Sequence, residues 1–241
     1  LENPSGRLDF HSHELSYEHG GDPPTGWALR SSAFNAAFAD LDRDGHLDVA
    51  LPVHERWMER GAPRSGFFFG WLRQPKALNN PWTYNRIGSI MPDMPVGLAL
   101  ADIDGDGDLD LMGGSYSGID ILSGGFSGAP RDRDGEAVTA SSSVGRIAWF
   151  ENTGDPAAGW RRHDVSRRVR GMYDAFIPRD LDDDGDVDFV ATRGNSGEFD
   201  GVFWIEQTRF AEPKRAFSPA RGDESRALPL PPDDWRNHYV K

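Results

Sequence analysis

The sequence has no cysteine among its 241 residues. That absence excludes disulfide bonds, a thiolate nucleophile and any zinc site with cysteine ligands. Long apolar runs are also missing, since no stretch approaches the ~18 apolar residues of a membrane-spanning helix. Basic residues are scarce beside acidic ones, with 26 Lys and Arg against 39 Asp and Glu and a formal net charge of −13. A nucleic-acid partner is not expected, because binding to phosphates requires a basic face.

Glycine and proline, in contrast, are abundant, with 28 and 17 residues. Such a turn-rich composition disfavours a helical bundle. Eight Trp and 14 Phe argue against disorder, and a chain of this length can bury a sizeable core. No basic segment followed by an apolar one precedes Leu1, so a signal peptide is not expected in this sequence. We expect the chain to be part of a longer protein.

A nine-residue pattern, D-x-D-x-D-G-x-x-D, occurs three times. We call these segments loop 1 (residues 40–48), loop 2 (102–110) and loop 3 (180–188), and number the positions within each from 1 to 9. The loop starts are 62 and 78 residues apart. A short apolar stretch precedes each loop, and the alternation typical of a half-buried strand follows it.

Tryptophans recur in the same order around each loop. One tryptophan leads a strand-like stretch after the loop, and another opens each repeat before it. The later tryptophans are Trp71, Trp149 and Trp204; the earlier ones are Trp27, Trp82 and Trp160, with Trp235 as a further copy. The order predicts three repeats of four short strands each, and four-stranded repeats of this length are typical of β-propeller blades.

The predicted fold is therefore all-β, a propeller with about three complete blades and partial blades at both ends. The blades are residues 27–81, 82–159 and 160–207, with the remnant of a preceding blade and a connector in 1–26 and a proline-rich connector and further strand in 208–241. Residues 113–144 are a Gly- and Ser-rich insertion, interpreted as a solvent-exposed loop or as a binding loop. Open blades leave unpaired strands, so the predicted partners include the remaining blades of a larger propeller or a second copy of the chain.

The loops have the chemistry of a calcium site. Ca²⁺ takes about six to eight oxygen ligands, and carboxylates at positions 1, 3 and 5 can converge on one point. Glycine at position 6 permits the sharp turn, position 7 offers a backbone carbonyl, and position 9 closes the cage. Up to three Ca²⁺ are predicted, held by Asp40, Asp42, Asp44, His46 and Asp48; by Asp102, Asp104, Asp106, Asp108 and Asp110; and by Asp180, Asp182, Asp184, Asp186 and Asp188.

Two other interpretations compete with this one. An EF-hand needs a glutamate at position 12 and flanking helices, but position 12 is Leu51, Gly113 or Ala191, so this alternative is excluded. Asp-Gly runs can also be ordinary solvated turns. Three copies in the same strand context favour metal binding over solvated turns.

The loops, their flanking strands and the later Trp strand together resemble the FG-GAP, or VCBS, repeats of integrin-type β-propellers. Residues 109–115 correspond to the D-L-x-x-G-A-P stretch of that repeat, with Gly114 and Ser115 replacing Ala-Pro. The resemblance covers about residues 27–207. It implies calcium-stabilised blades, a parent of about seven blades, and a secreted, cell-surface or periplasmic location. It also implies adhesion or binding of an extracellular glycan or protein.

Two functional classes are compatible with these features. The first is a non-catalytic, calcium-binding extracellular module for adhesion, carbohydrate or protein binding, or scaffolding. The second is part of a secreted propeller enzyme that acts on sugars or polysaccharides, of the lyase or dehydratase type. No catalytic residue is assigned, because no Ser-His-Asp order or phosphate loop is present. The enzyme hypothesis would need convergence on one pocket of His11, His13, His54 and Tyr173.

Overall fold

The computed structural model describes residues 12–32, 34–90, 93–116, 119–120, 125–126, 145–167, 171–194 and 200–208. Over these residues the protein is all-β and contains no helix, which confirms the predicted class. No helix that could cross a membrane occurs in this part of the chain. The predicted end strands at residues 1–3 and 235–241 lie outside the described residues, as do most of 113–144 and nearly all of 208–241.

The first sheet has the strand order β1-β6-β5-β4-β2, and β3 also pairs with β4. Its strands are β1 (Tyr17–His19), β2 (Ala28–Ser31), β3 (Ala37–Ala39), β4 (Asp48–Glu59), β5 (Ala62–Arg73) and β6 (Trp82–Gly88). The hairpin of β4 and β5 has a two-residue turn, Arg60 and Gly61, both with positive φ. Such a turn matches the right-handed twist of the strands that it joins.

The second sheet has the order β12-β11-β8-β13-β14-β15, and β7 also pairs with β8. Its strands are β7 (Met94–Ala101), β8 (Asp110–Tyr116), β11 (Arg146–Asn152), β12 (Trp160–Arg167), β13 (Met172–Arg179), β14 (Asp188–Gly194) and β15 (Gly201–Ile205). A small ribbon of β9 (Ile119–Asp120) and β10 (Gly125–Phe126) stands apart. Only the pair Met172–Tyr116 joins β13 to β8, so the second sheet comprises two groups.

The strands fall into three groups with the same internal order. We call β3–β6 the first group, β7, β8, β11 and β12 the second, and β13–β15 the third. In the first two groups the last strand begins at Trp82 or Trp160 and pairs with the strand before it. Each of these strands therefore lies in the sheet of the loop that precedes it, whereas the sequence pattern assigns it to the loop that follows.

The core lies between the groups. Phe69 and Trp71 of the first group are fully buried against Leu111 and Phe150 of the second. Burial of side chains of this size contributes roughly 1.5–3 kcal/mol each. The fit is close at Gly113, where an added Cβ would come within 2.5 Å of the Phe69 ring. A second cluster joins the second group to the third, through Met112, Ile147, Tyr173 and Phe189.

Candidate metal centres

The three loops occupy equivalent places. Each connects the first strand of its group to the second, and antiparallel pairing brings the two ends of the loop together. The closing pairs are Ala39–Asp48, Ala101–Asp110 and Arg179–Asp188. A strand follows each loop directly, and position 12 lies inside that strand, so none of the three has the helical flank of an EF-hand.

The loop backbone is left-handed at two positions. Position 6 has φ of 87°, 94° and 92° at Gly45, Gly107 and Gly185, as expected for a residue without a Cβ. Position 4 has φ of 59°, 80° and 61° at Arg43, Gly105 and Asp183. The left-handed turn at position 4 was not predicted, because only loop 2 has glycine there.

Hydrogen bonds within the loops direct the carboxylates inward. The position 1 carboxylate accepts the position 6 N–H, at 2.9 Å for Asp40 and 3.1 Å for Asp102 and Asp180. The position 5 carboxylate accepts the position 7 N–H in all three loops, at 2.8 to 3.1 Å. Local bonds of this type hold the side chains close to their own backbone turn.

The aspartate at position 9 has a different role in the loop. Asp48, Asp110 and Asp188 are completely buried. In each, Oδ2 accepts the position 2 N–H at 3.0 to 3.2 Å. Oδ1 accepts a backbone N–H at 2.8 to 2.9 Å from a residue at or just after the end of the strand that contains Trp71, Trp149 or Trp204. The donor is the third residue after that tryptophan, which is Gln74, Asn152 or Gln207. This carboxylate therefore ties the loop to the Trp strand.

Three carboxylates converge in each loop, so that each could hold a metal ion. The clusters are Asp40, Asp42 and Asp48; Asp102, Asp104 and Asp106; and Asp180, Asp182 and Asp184, with ligand atoms within 4.8 Å of one another. The prediction of three carboxylate clusters that could hold metal is confirmed. The other predicted ligands lie in the same loops but outside these groups of three: Asp44, His46, Asp108, Asp110, Asp186 and Asp188.

Burial and crowding shift the protonation of these carboxylates. Burial raises the pKa of Asp110 to about 7, and the negative charge of Asp104 adds to the rise. Burial raises the pKa of Asp48 to about 6, with Asp42 and Asp44 contributing. The pKa of Asp104 is raised as well, by burial and by its acidic neighbours, among them Glu151. Within loop 1 and within loop 2 the carboxylates therefore repel one another, and a cation bound in each loop would relieve that repulsion.

Two arginines counter part of this charge, Arg73 at loop 1 and Arg43 at loop 2. Arg73 Nε lies 2.5 Å from Asp42 Oδ2, and Arg73 Nη2 lies 3.0 Å from Asp44 Oδ2. Arg43 extends to the next loop, where Nη2 lies 2.6 Å from Asp108 Oδ1 and donates to the Gly107 carbonyl. Arg73 is two residues after Trp71, and the corresponding residues in the other groups are Glu151 and Glu206.

The residues considered for catalysis do not assemble in the described structure. His54 lies on β4 in the first sheet and stacks on Phe67, with ring centroids 4.6 Å apart. Its pKa is lowered by burial and by Arg56 and Arg30. Tyr173 lies on β13 in the second sheet, buried in the apolar cluster. His13 is exposed, and His11 lies outside the described residues.

Sequence reasoning missed a buried ionic cluster around Glu55. Glu55 is fully buried and accepts hydrogen bonds from Tyr84 at 2.6 Å, Trp27 at 3.2 Å and Arg86 at 2.7 and 2.9 Å. Burial alone would raise the pKa of Glu55, but the bonds from Arg86 and Tyr84 outweigh it and the pKa is lowered. Arg86 is 31 residues away, so no local pattern predicts this pair.

Comparison with known proteins identifies no relative. The chain matches no protein-family model, and neither a curated protein nor a solved structure matches it significantly. The resemblance to FG-GAP repeats therefore depends on the repeated sequence motif alone.

Proposed function

We propose that this protein is a calcium-binding β-propeller module of the FG-GAP type, acting outside the cytosol as a non-catalytic binding or scaffolding domain. The observation that supports it is the threefold recurrence of one loop geometry. Each loop joins the first and second strands of its group, has left-handed backbone at positions 4 and 6, and brings three carboxylates together. Solvated Asp-Gly turns have no need to bring three carboxylates together in every copy, as positions 1, 3 and 9 do in loop 1 and positions 1, 3 and 5 do in loops 2 and 3.

The donor chemistry fits Ca²⁺. All side-chain donors in the three clusters are carboxylate oxygens, the ligands of a hard cation. Asp40, Asp42 and Asp48 would hold the ion in loop 1, and positions 1, 3 and 5 would hold it in loops 2 and 3. The position 7 carbonyl would add a further oxygen. Mg²⁺ fits less well, because it retains more of its water and takes fewer protein ligands.

Bound calcium would supply charge neutralisation and a cross-link within each loop. It would stabilise the end of the sheets at which the loops lie, and thus a surface that presents an extracellular glycan or protein ligand. Calcium sites in extracellular modules have Kd on the order of 10⁻⁴ to 10⁻³ M. Such sites are filled outside the cell and largely empty at cytosolic calcium, so the proposed function requires a location outside the cytosol.

Metal analysis of the purified chain tests this proposal. The chain is dialysed against calcium, and bound metal is counted by elemental analysis and by isothermal titration. The variant combining Asp42→Asn, Asp104→Asn and Asp182→Asn should lose most of the bound calcium. Asp22→Asn, at an exposed residue outside the loops, is the matched control and should bind as the wild type does. A wild-type chain without bound calcium would refute the proposal.

A further inference from the structure

The two interfaces between strand groups are built from repeat-equivalent positions. Two residues define each face. The forward face of a group consists of the residue at loop position 2 and the residue two before the tryptophan that follows the loop, which is Trp71, Trp149 or Trp204. The backward face is loop position 8 together with the residue two before the loop. Forward faces are Leu41 and Phe69, Ile103 and Ile147, and Leu181 and Val202; backward faces are Phe38 and Leu47, Leu100 and Leu109, and Pro178 and Val187.

Forward faces pack on the backward faces of the next group. Leu41 and Phe69 share an apolar cluster with Leu100 and Leu109. In the second interface, Ile103 and Ile147 share a cluster with Val187.

Polar bonds accompany both interfaces. Arg43, at loop position 4, pairs with Asp108 at position 7 of the next loop. Gln207 of the third group donates from Nε2 to the Ile103 carbonyl of the second at 3.0 Å.

The outermost faces of the first and third groups are bare. Within the two interfaces the forward residues are at most 5% exposed: Leu41 3%, Phe69 0%, Ile103 5% and Ile147 2%. The same positions of the third group are 42% exposed at Leu181 and 72% at Val202. On the backward face of the first group, Phe38 is 65% and Leu47 58% exposed.

The exposed apolar patch of Phe38 and Leu47 is confined to the loop end of the first group. Beside this patch, Val49, which is the cross-strand partner of Phe38, and Leu72 are buried in a cluster with Leu29, and Trp27 packs against that cluster. Strand β2, which contains Leu29, pairs with residues 53–56 of β4 and so leaves the loop end uncovered. The chain therefore has two apolar patches of the kind that meet in its own interfaces, one at each end.

We propose that a second copy of this chain docks head to tail, with Leu181 and Val202 of one copy against Phe38 and Leu47 of the next. The contact continues the interface that the chain already makes twice. An interface of this kind is heterologous, so it generates a ring or an open chain of copies.

The polar groups around the two bare faces are also complementary. Position 4 of loop 3 is Asp183 and position 7 of loop 1 is His46, so a carboxylate would meet an imidazole N–H at the place where Arg43 meets Asp108. Gln74 holds the place of Gln207, since the backbone N–H of each donates to the position 9 aspartate of its group. Asn152 holds the same place in the second group but donates to the Leu109 carbonyl of its own group, whereas Gln74 has the same side chain as Gln207 and would donate to the Leu181 carbonyl of the other copy.

The test is sedimentation velocity and light scattering of the full chain over about 1 µM to 1 mM. The wild type should shift with concentration from the mass of one copy to multiples of it. Phe38→Asp removes only the backward face and Val202→Asp only the forward face, so each variant alone should remain a single copy. An equal mixture of the two retains one intact pair of faces and should form a one-to-one dimer that does not grow further. Leu78→Asp, at an exposed leucine on neither face, is the control and should assemble as the wild type does.

Each result decides the proposal. Wild-type chains that stay single at the highest concentration would overturn it, and would indicate that another protein or other parts of a longer chain cover these faces. Assembly that persists in either single variant, or a mixture that forms no dimer, would overturn it too. Circular dichroism of both variants should match the wild type, because both substitutions replace exposed side chains.

Discussion

Loops 1 and 2 share one motif and one backbone path, yet they differ in the charge beside the carboxylates. Arg73 forms ion pairs with Asp42 and Asp44 at loop 1. Loop 2 has Glu151 at the equivalent position, and its negative charge helps to raise the pKa of Asp104. Arg43 also reaches loop 2, but it pairs with Asp108, which lies outside the cluster of three carboxylates. Loop 3 has Glu206 there and so follows loop 2 in sequence.

The difference shows that a repeated ligand set does not make equal sites. A guanidinium that already neutralises two carboxylates reduces both the repulsion that an ion would relieve and the attraction that it would feel. Loop 1 can therefore retain its conformation without metal, whereas loops 2 and 3 depend more on a bound cation. We expect calcium to fill loop 1 last.

Removal of calcium should have the largest effect. At roughly 2 mM calcium and a Kd of about 0.1 mM, each site adds about 1.8 kcal/mol to the free energy of unfolding, and three add about 5. Chelation should then lower the melting temperature by about 10–20 °C, and returned calcium should restore it. Scanning calorimetry with EDTA and with calcium titrated back measures the change. An unaltered melting temperature would show that the loops are ordinary turns.

The next largest effect distinguishes the structural role of the aspartate at position 9 from the metal-binding role of the aspartate at position 5. Asp110→Ala leaves two N–H groups without an acceptor, those of Ile103 and Asn152, at a cost of about 1–3 kcal/mol each. The loss of stability should therefore appear with and without calcium. Asp106→Ala removes one exposed hydrogen bond, from the Asp108 N–H, for which water can substitute, so it should destabilise the calcium-loaded protein far more than the calcium-free one. Urea unfolding of both variants in each condition measures this difference; equal losses in both conditions for the two variants would contradict it.

Removal of the guanidinium tests the comparison of the loops directly. Arg73→Gln should tighten calcium binding at loop 1 about tenfold, which corresponds to ~1.4 kcal/mol, because one positive charge leaves the site. Glu151→Gln should have the opposite effect and weaken calcium binding at loop 2, because one negative charge leaves the site. Arg64→Gln, which breaks an exposed ion pair with Glu59, is the control. Isothermal titration resolves the change; unaltered affinity in Arg73→Gln would mean that the arginine moves away when calcium binds.

The parts of the site that could be predicted from the sequence are those set by neighbouring residues. Alternating apolar residues predicted strands after each loop, and Asp at positions 1, 3 and 5 with Gly at 6 predicted carboxylate clusters. Both depend on interactions within about ten residues of the chain.

The features that were missed depend on distant partners or on backbone that carries no sequence signal. Arg73 reaches loop 1 only because β5 pairs with β4, and Arg86 reaches Glu55 in the same way through β6. Arg43 and Asp183 adopt the left-handed backbone conformation, which is usually recognised in a sequence because glycine occupies the position. The sheet to which β6 and β12 belong, the strands that begin at Trp82 and Trp160, is likewise decided by pairing rather than by order along the chain.

The stability of the calcium-free protein should depend on pH in an unusual sense. Asp110 and Asp48 have pKa values raised by burial to about 7 and about 6, above the 3.8 of an ordinary aspartate. The folded state then binds protons more tightly than the unfolded state between pH 4 and 7, so these groups make stability fall as pH rises through that window. Calcium-depleted protein should melt higher at pH 5.5 than at pH 8. With calcium present the trend should reverse, because protons compete with the ion. Asp110→Asn should reduce the calcium-free slope and leave the part that Asp48 contributes, whereas an unchanged slope would exclude Asp110 as a source.

The smallest effect concerns backbone strain at position 4. Loop 2 has Gly105 there, whereas loop 3 has Asp183 at φ of 61°, in a region that costs an ordinary L-residue roughly 1–2 kcal/mol and an aspartate less. Asp183→Gly should therefore stabilise the protein by about 0.5 kcal/mol, since glycine also loses more entropy on folding. Gly105→Ala should destabilise it by about 1 kcal/mol for the same reason in reverse. Arg43→Gly combines relief of strain with loss of the ion pair to Asp108, and should change stability less than Asp183→Gly does. Urea midpoints of the three variants in EDTA separate backbone strain from metal binding. If Asp183→Gly destabilised the protein there, the aspartate side chain would be holding the turn of loop 3 in the absence of metal.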